Sequence, residues 1–117
     1  MSPKRGDRVA PPADSDSWDV RFATNEAIKG WETLCQQAPA NTLAAWNTMR
    51  SRLDNPPPTP RHHPLKGSLA TAVHGGVTMD QWQIEVTGAG RIWYRIDSDR
   101  RTIWMKAASV GHPKATE

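Results

Sequence analysis

"GRIWYRID" (90–97) opens on a glycine and then alternates without a break. Ile92, Tyr94 and Ile96 fall on one face of a strand, and Arg91, Trp93 and Arg95 on the other. One face therefore needs an apolar cover. The opposite face sets cations beside an aromatic ring, a pattern suited to holding phosphates and bases together.

The neighbours of this stretch repeat its logic. Upstream, "WQIEV" (82–86) alternates Trp82, Ile84 and Val86 with Gln83 and Glu85. "TGAG" (87–90) between them is a turn, because glycine tolerates the positive φ that tight turns demand. Downstream, "SDRR" turns the chain into "TIWMKAA" (102–108), where Ile103, Met105 and Ala107 oppose Trp104, Lys106 and Ala108. "SLATAV" (68–73) is a candidate short strand and "HGG" (74–76) a turn. These pieces predict an antiparallel meander of three to four strands.

The cover for its apolar face lies nearer the N-terminus. "WDVRFA" (18–23) alternates Trp18, Val20 and Phe22 with Asp19 and Arg21, a strand pattern. "TNEAIKGWETLCQQAP" then carries Ala27, Ile28, Trp31, Leu34, Cys35 and Ala38 at helical spacing, with Thr24 or Asn25 as cap and Glu26 in the first turn. Pro39 interrupts that helix. A second helix is expected over 40–55, capped by Asn41, with Leu43, Trp46, Met49 and Leu53 as its apolar stripe. The short joint implies an antiparallel helical hairpin. The expected class is α+β: N-terminal strand, helical hairpin, antiparallel sheet.

Residues 1–17 are rich in Pro, Ser, Asp and basic side chains, with little to bury, so they read as a disordered extension preceding one domain at 18–117. "PPPTPRHHPLKG" (56–67) reads as a stiff loop, since proline fixes φ and forbids helix. The 117-residue chain has a net charge of +3, and its halves differ. Residues 1–60 hold seven basic and seven acidic side chains; residues 61–117 hold eight and five, together with all four histidines. An anionic partner fits that half. The single Cys35 forms no internal disulfide, no apolar run approaches the ~18 residues of a membrane span, and no apolar leader begins the chain. A cytoplasmic protein with no membrane partner is expected.

If the anionic partner is RNA, cutting it without metal needs a base for the 2′-hydroxyl, a fixed cation for the phosphate and an acid for the leaving oxygen. Histidine suits the proton transfers and arginine the phosphate. The candidates are His62, His63 and Lys66 in the proline-rich loop, Arg91 at the head of the strand, and His112 and Lys114 in the tail. Trp93, Arg95 and Lys106 line the same expected face. No zinc-ligand spacing occurs, and neither metal nor cofactor is expected.

The order of elements, with "HPLKG" (63–67), "GRIWYRID" and "SVGHPKATE" (109–117), resembles the RelE/ParE superfamily of toxin–antitoxin toxins over roughly residues 18–117. "HPLKG" is similar to the Pro-Leu-Lys segment of YoeB-type members, and "GRIWY" to a strand motif of the RelE branch. The resemblance implies a RelE-like microbial RNase fold and a toxin that cleaves mRNA on the ribosome and is neutralised by a cognate antitoxin. By position it implies Arg91 as the phosphate contact, His63 where YoeB-like members place a carboxylate base, Lys66 as the nearby lysine, and His112 and Lys114 in the C-terminal catalytic region. His63 and His112 divide the base and acid roles. Trp93, Arg95, His62 and Lys106 are the implied RNA contacts, with Trp93 either stacking a base or lying under the antitoxin. RelE carries two lysines on the strand matching "WQIEV", where this chain has Gln83 and Glu85. The ParE branch, which poisons DNA gyrase, and a binding-only relative without catalysis are the alternatives.

Overall fold

The computed structural model describes residues 3–9, 17–51 and 57–111. Its elements, in chain order, are β1 (Asp19–Phe22), α1 (Asn25–Gln37), α2 (Pro39–Arg50), β2 (His62–Pro64), a short 3₁₀ turn (Gly67–Leu69), β3 (Thr71–His74), β4 (Val77–Glu85), β5 (Arg91–Asp97) and β6 (Thr102–Ser109). The architecture is α+β, with a helical hairpin on one face of a sheet.

The helices form where local chemistry favours them. Thr24 caps α1: its Oγ1 accepts from the Ala27 amide at 3.1 Å and donates to the Lys106 carbonyl, so the same hydroxyl ties the helix start to β6. Pro39 does not merely end α1; it occupies the first turn of α2, where its missing N–H has no intrahelical partner to lose. That helix therefore starts two residues before Asn41 and has no side-chain cap. The described helix ends at Arg50, and Leu53 lies outside the described residues.

The buried stripe of α2 also differs from expectation. Thr42, Ala45 and Met49 face the core, Trp46 is only partly buried, and Leu43 is 56% exposed. Burying Thr42 carries little polar penalty because its hydroxyl donates to the Leu34 carbonyl at 3.0 Å, which also locks the joint between the helices. On α1, Ala27, Ile28 and Leu34 are buried as read, whereas Cys35 is exposed.

The sheet has six strands, more than the three or four expected, and is mixed. Its order is β1-β6-β5-β4-β2, with β3 also paired to β4. β1 runs parallel to β6, pairing Val20 with Ile103 and Phe22 with Met105. The helical hairpin is the crossover that a parallel pair requires. The remaining pairs are antiparallel. β2 and β3 are successive short segments laid along one edge of β4, which runs from Val77, five residues earlier than the alternation of 82–86 suggests.

Residues 6–9 lie along the outer side of β1. The Val9 amide donates to the Val20 carbonyl at 2.7 Å, and the Phe22 amide to the Asp7 carbonyl at 3.1 Å. The side chain of Val9 packs against the core. This contact covers an edge that would otherwise present unpaired backbone groups.

The core fills the space between helices and sheet. Val20, Phe22, Ile84, Ile92, Tyr94, Ile103 and Met105 meet Ala27, Ile28, Leu34, Ala45 and Met49. The alternation read in β5 holds: Ile92 and Tyr94 are fully buried beneath the helices. In β6 it breaks. Trp93 pairs with Ala107 but Tyr94 with Met105, so Lys106 is an extra residue in a bulge. Beyond the bulge Ala108, not Ala107, turns to the core.

Candidate functional site

The helix-free face of the sheet is built in rows, because residues paired directly across antiparallel strands share a face. One row runs Glu85, Arg91, Ser109; the next His63, Gln83, Trp93, Ala107; the next Gln81, Arg95, Trp104. Trp104 in turn pairs with Arg21 of β1. The surface thus carries the cations Arg21, Arg91, Arg95 and Lys106, two tryptophans, and the carboxylates Asp19, Glu85 and Asp97.

Arg91 sits at one end of this face with its side chain only 11% exposed. Its Nη1 donates to the carbonyls of Thr87, Gly88 and Gly90 at 3.0–3.2 Å and lies 3.6 Å from Glu85 Oε1. The guanidinium therefore ties down the β4–β5 turn and meets a carboxylate as well. Ser109, opposite Arg91, is the last residue of β6, so the chain leaves the sheet there. His112 and Lys114 follow and lie outside the described residues.

The two adjacent histidines diverge, as neighbours on a strand must. His62 is 7% exposed and turned toward the helices, with its Nε2 hydrogen-bonded to the Tyr94 hydroxyl and its ring edge-on to Trp82 at 5.0 Å. It belongs to the core, not to a surface that RNA touches. His63 is on the helix-free face, half-buried beside Gln83. Its Nδ1 lies 3.0 Å from the Pro64 carbonyl. A carbonyl only accepts, so Nδ1 carries the proton, and in the neutral ring Nε2 is left with a lone pair. That is the form a general base requires. Strands about 4.8 Å apart put His63 and Arg91, two strands and one row apart, roughly 12 Å from each other at the backbone.

Lys66 is exposed just before the 3₁₀ turn, nearer the Gln81 row than the Arg91 row. Trp93 is 5% exposed: its Nε1 donates to Gln83 Oε1 at 2.8 Å and Lys106 Nζ lies 5.5 Å from its ring centre. Trp93 anchors Lys106 over the sheet and has no free face for stacking. Arg95 donates from Nε to Gln81 Oε1 at 3.3 Å and from Nη1 to His74 Nδ1 at 3.0 Å.

His74 is the residue that sequence reasoning missed. Read as part of a turn, it is the last residue of β3. Its ring lies over Trp104 at 4.4 Å, with the planes inclined by 32°. In a flat sheet three strand spacings, about 14 Å, would separate the β3 and β6 columns, so the β3–β4 hairpin must curl over the helix-free face. Trp104 Nε1 donates to Asp97 at 3.3 Å, and Arg100 meets the same carboxylate at 3.2 Å. Shared parity of 72 and 74 with 77, 79 and 81 would have placed His74 on this face.

Partial burial, with Arg95 and Arg100 nearby, pushes the His74 pKa below its ordinary 6.5; Asp97 opposes them. Protons then bind the unfolded chain more readily than the folded one between the depressed value and about 6.5. Stability falls as pH drops through that window and is flat above it. Wild type should lose more stability between pH 7.5 and 5 than His74→Asn, as read from urea midpoints at each pH. Equal losses in the two proteins would show that His74 is not held neutral.

Two shallow clefts, of about 210 and 220 Å³, lie at the margins of this face, one beside Asp80, Asp97 and Asp99 and one between α2 and β4 that reaches Glu85. Among the described residues no group of three His, Cys, Asp or Glu side chains could hold a metal ion, and no helix is long and apolar enough to cross a membrane. No protein-family model, curated protein or solved structure matches the chain.

Proposed function

We propose that the chain is a RelE-like toxin, a metal-independent endoribonuclease that cuts mRNA held on the ribosome and is silenced by an antitoxin covering the same face. The observation that carries this reading is the register of one end of the sheet. Arg91 pairs with Ser109, where β6 ends, and His63 stands one row away on the same face. A candidate base and a fixed cation thus share one end of a helix-free face, and the described chain stops two residues beyond Ser109, before His112 and Lys114.

In this mechanism His63 Nε2 takes the 2′-hydroxyl proton, and the 2′-oxygen attacks the phosphorus. The remaining donors of Arg91 stabilise the charge that builds on the phosphate oxygens. His112 protonates the leaving 5′-oxygen, while Lys66, Lys106 and Lys114 hold the flanking phosphates and Arg95 contacts the RNA beside them. The products are a 2′,3′-cyclic phosphate and a free 5′-hydroxyl, so atoms and protons balance without a co-reactant.

A second reading has its own support. Arg91 Nη1 already serves three carbonyls and Glu85, which suits a protein that binds without phosphate chemistry, as a gyrase inhibitor of the ParE kind or a binding-only relative does. Induced expression in bacteria separates them. On the nuclease reading, amino-acid incorporation stops within minutes and new 5′-hydroxyl ends appear within mRNA coding regions. Continued translation with loss of plasmid supercoiling would replace it with gyrase inhibition; normal growth would leave binding alone.

A further inference from the structure

The contact between β3 and the sheet face has the shape of a bound ligand. A flat heteroaromatic ring, His74, lies on the Trp104 indole at 4.4 Å while its Nδ1 accepts from Arg95 Nη1 at 3.0 Å. Arginine only donates, so His74 Nδ1 must be unprotonated in this contact. Arg95 is itself oriented by Gln81, whose Nε2 is fixed on the Leu69 carbonyl at 2.8 Å. The slot therefore has a stacking floor, a directed cationic donor and a side chain holding that donor in place. Among the described residues Arg95 Nη2 has no partner, so the guanidinium has a second donor edge beside the first.

We propose that the slot formed by Trp104 and Arg95 binds a purine base, guanine in particular, and that His74 fills it when no ligand is present. Stacking on Trp104 accepts any base. The arginine fork discriminates: guanine presents two acceptors, O6 and N7, where adenine presents N7 beside an amino donor. The proposal deepens the RNA reading above and rests on it for the source of the base.

His74 leaves the slot on protonation. An imidazolium Nδ1–H has no lone pair for Arg95. The charges bearing on it are Arg95 and Asp97 from β5 and Arg100 from the β5–β6 turn, two cations against one carboxylate already engaged by Arg100 and Trp104. β4 and β6 contribute the uncharged Gln81 and Trp104. The β3–β4 turn, with Gly75 and Gly76 both at positive φ, is built for a tight reversal that carries His74 on its shoulder.

The test is calorimetric titration of the purified chain with guanosine and adenosine 5′-monophosphates. The two share a phosphate, so their affinity ratio cancels its titration. At pH 7.5 His74→Ala should bind the guanosine nucleotide about tenfold tighter than wild type, the gain expected if the slot is open about a tenth of the time. The adenosine nucleotide should gain by the same factor, because it needs the same open slot, and should remain the weaker ligand in both proteins. The advantage of His74→Ala over wild type should shrink from pH 7.5 to 5.5 as protonation opens the wild-type slot; comparing the two proteins with one nucleotide at each pH also cancels the phosphate's titration. Adding Arg95→Gln to His74→Ala should erase the guanosine preference. No guanosine preference, no gain in His74→Ala, or an advantage indifferent to pH overturns the proposal; the preference is read on wild type and needs no variant to fold. A chain that passes these titrations yet leaves mRNA intact keeps the slot and loses the nuclease, and mRNA cleavage with no His74 effect does the reverse.

Discussion

Gly30→Ala should unfold the protein or lower its melting temperature by roughly 10 °C or more. A Cβ built on Gly30 would stand 1.7 Å from the carbonyl oxygen of Ala108 and 2.5 Å from its carbon. Both atoms are backbone, in the last turn-ward stretch of β6, and no rotamer change removes them. α1 lies directly on the strand at this point, and a methyl group forces the two apart. Extra methylenes in a packed core usually cost about 1–3 kcal/mol, with side chains absorbing part of the strain. Here the strain falls on the helix–sheet spacing itself, so a cost at or above the top of that range is expected. The displacement would also reach Thr24, which joins α1 to β6 through the Lys106 carbonyl. Gly88→Ala is the control, because its Cβ meets nothing within 4 Å. Thermal melts of the two variants check the claim, and a Gly30→Ala protein that melts with wild type would refute the close approach of α1 to β6.

Gly30 also shows where sequence patterns stop. A glycine within "NEAIKGWETL" reads as a tolerated flaw in a helix. Only the packed structure reveals it as the point where helix and strand backbones touch. Strand β5 is the opposite case. Its alternation is decided by period alone, and Ile92 and Tyr94 lie beneath the helices as the pattern requires. The helix-free face with Arg91, Trp93, Arg95, Trp104 and Lys106 follows from the same period and is present.

Three features were hidden because a weaker local signal was overridden. The bulge at Lys106 shifts the parity of β6, and no residue type marks it, so Ala107 and Ala108 exchange faces. The run of prolines at 56–60 suggests loop throughout, yet "HHP" is an edge strand, where proline's missing donor is tolerated. That short strand is what sends His62 inward to Tyr94 and His63 outward. In α2 hydrophobicity favours Leu43 over Thr42, but the Thr42 hydroxyl finds the Leu34 carbonyl and the helix rotates to bury it. Each outcome depends on a partner distant in the chain, which no window of sequence contains.

Arg91→Ala is expected to abolish growth arrest, raising survival of induced cells by about a hundredfold or more. Removing one preorganised donor to a developing oxyanion typically slows the chemistry by about 10²–10³, and cells tolerate a toxin slowed that far. The same change strips donors from the carbonyls of Thr87, Gly88 and Gly90 and leaves Glu85 without its cation. Loss of those bonds carries a stability cost of about 1–3 kcal/mol, so arrest alone cannot separate chemistry from folding. Arg91→Lys separates them. It keeps a positive charge near Glu85 but loses the planar fork that grips a phosphate at two oxygens. On the nuclease reading Arg91→Lys melts near wild type and still loses most of its mRNA cleavage. Glu85→Gln should do the opposite: it removes the ion pair, leaves the guanidinium in place and retains cleavage. The decisive comparison is cleavage per folded molecule, from 5′-end mapping and melting curves on the same three proteins. If cleavage tracks the melting temperature across the series, Arg91 is a brace for the β4–β5 turn. If Arg91→Lys is stable and silent while Glu85→Gln stays active, the guanidinium itself meets the phosphate.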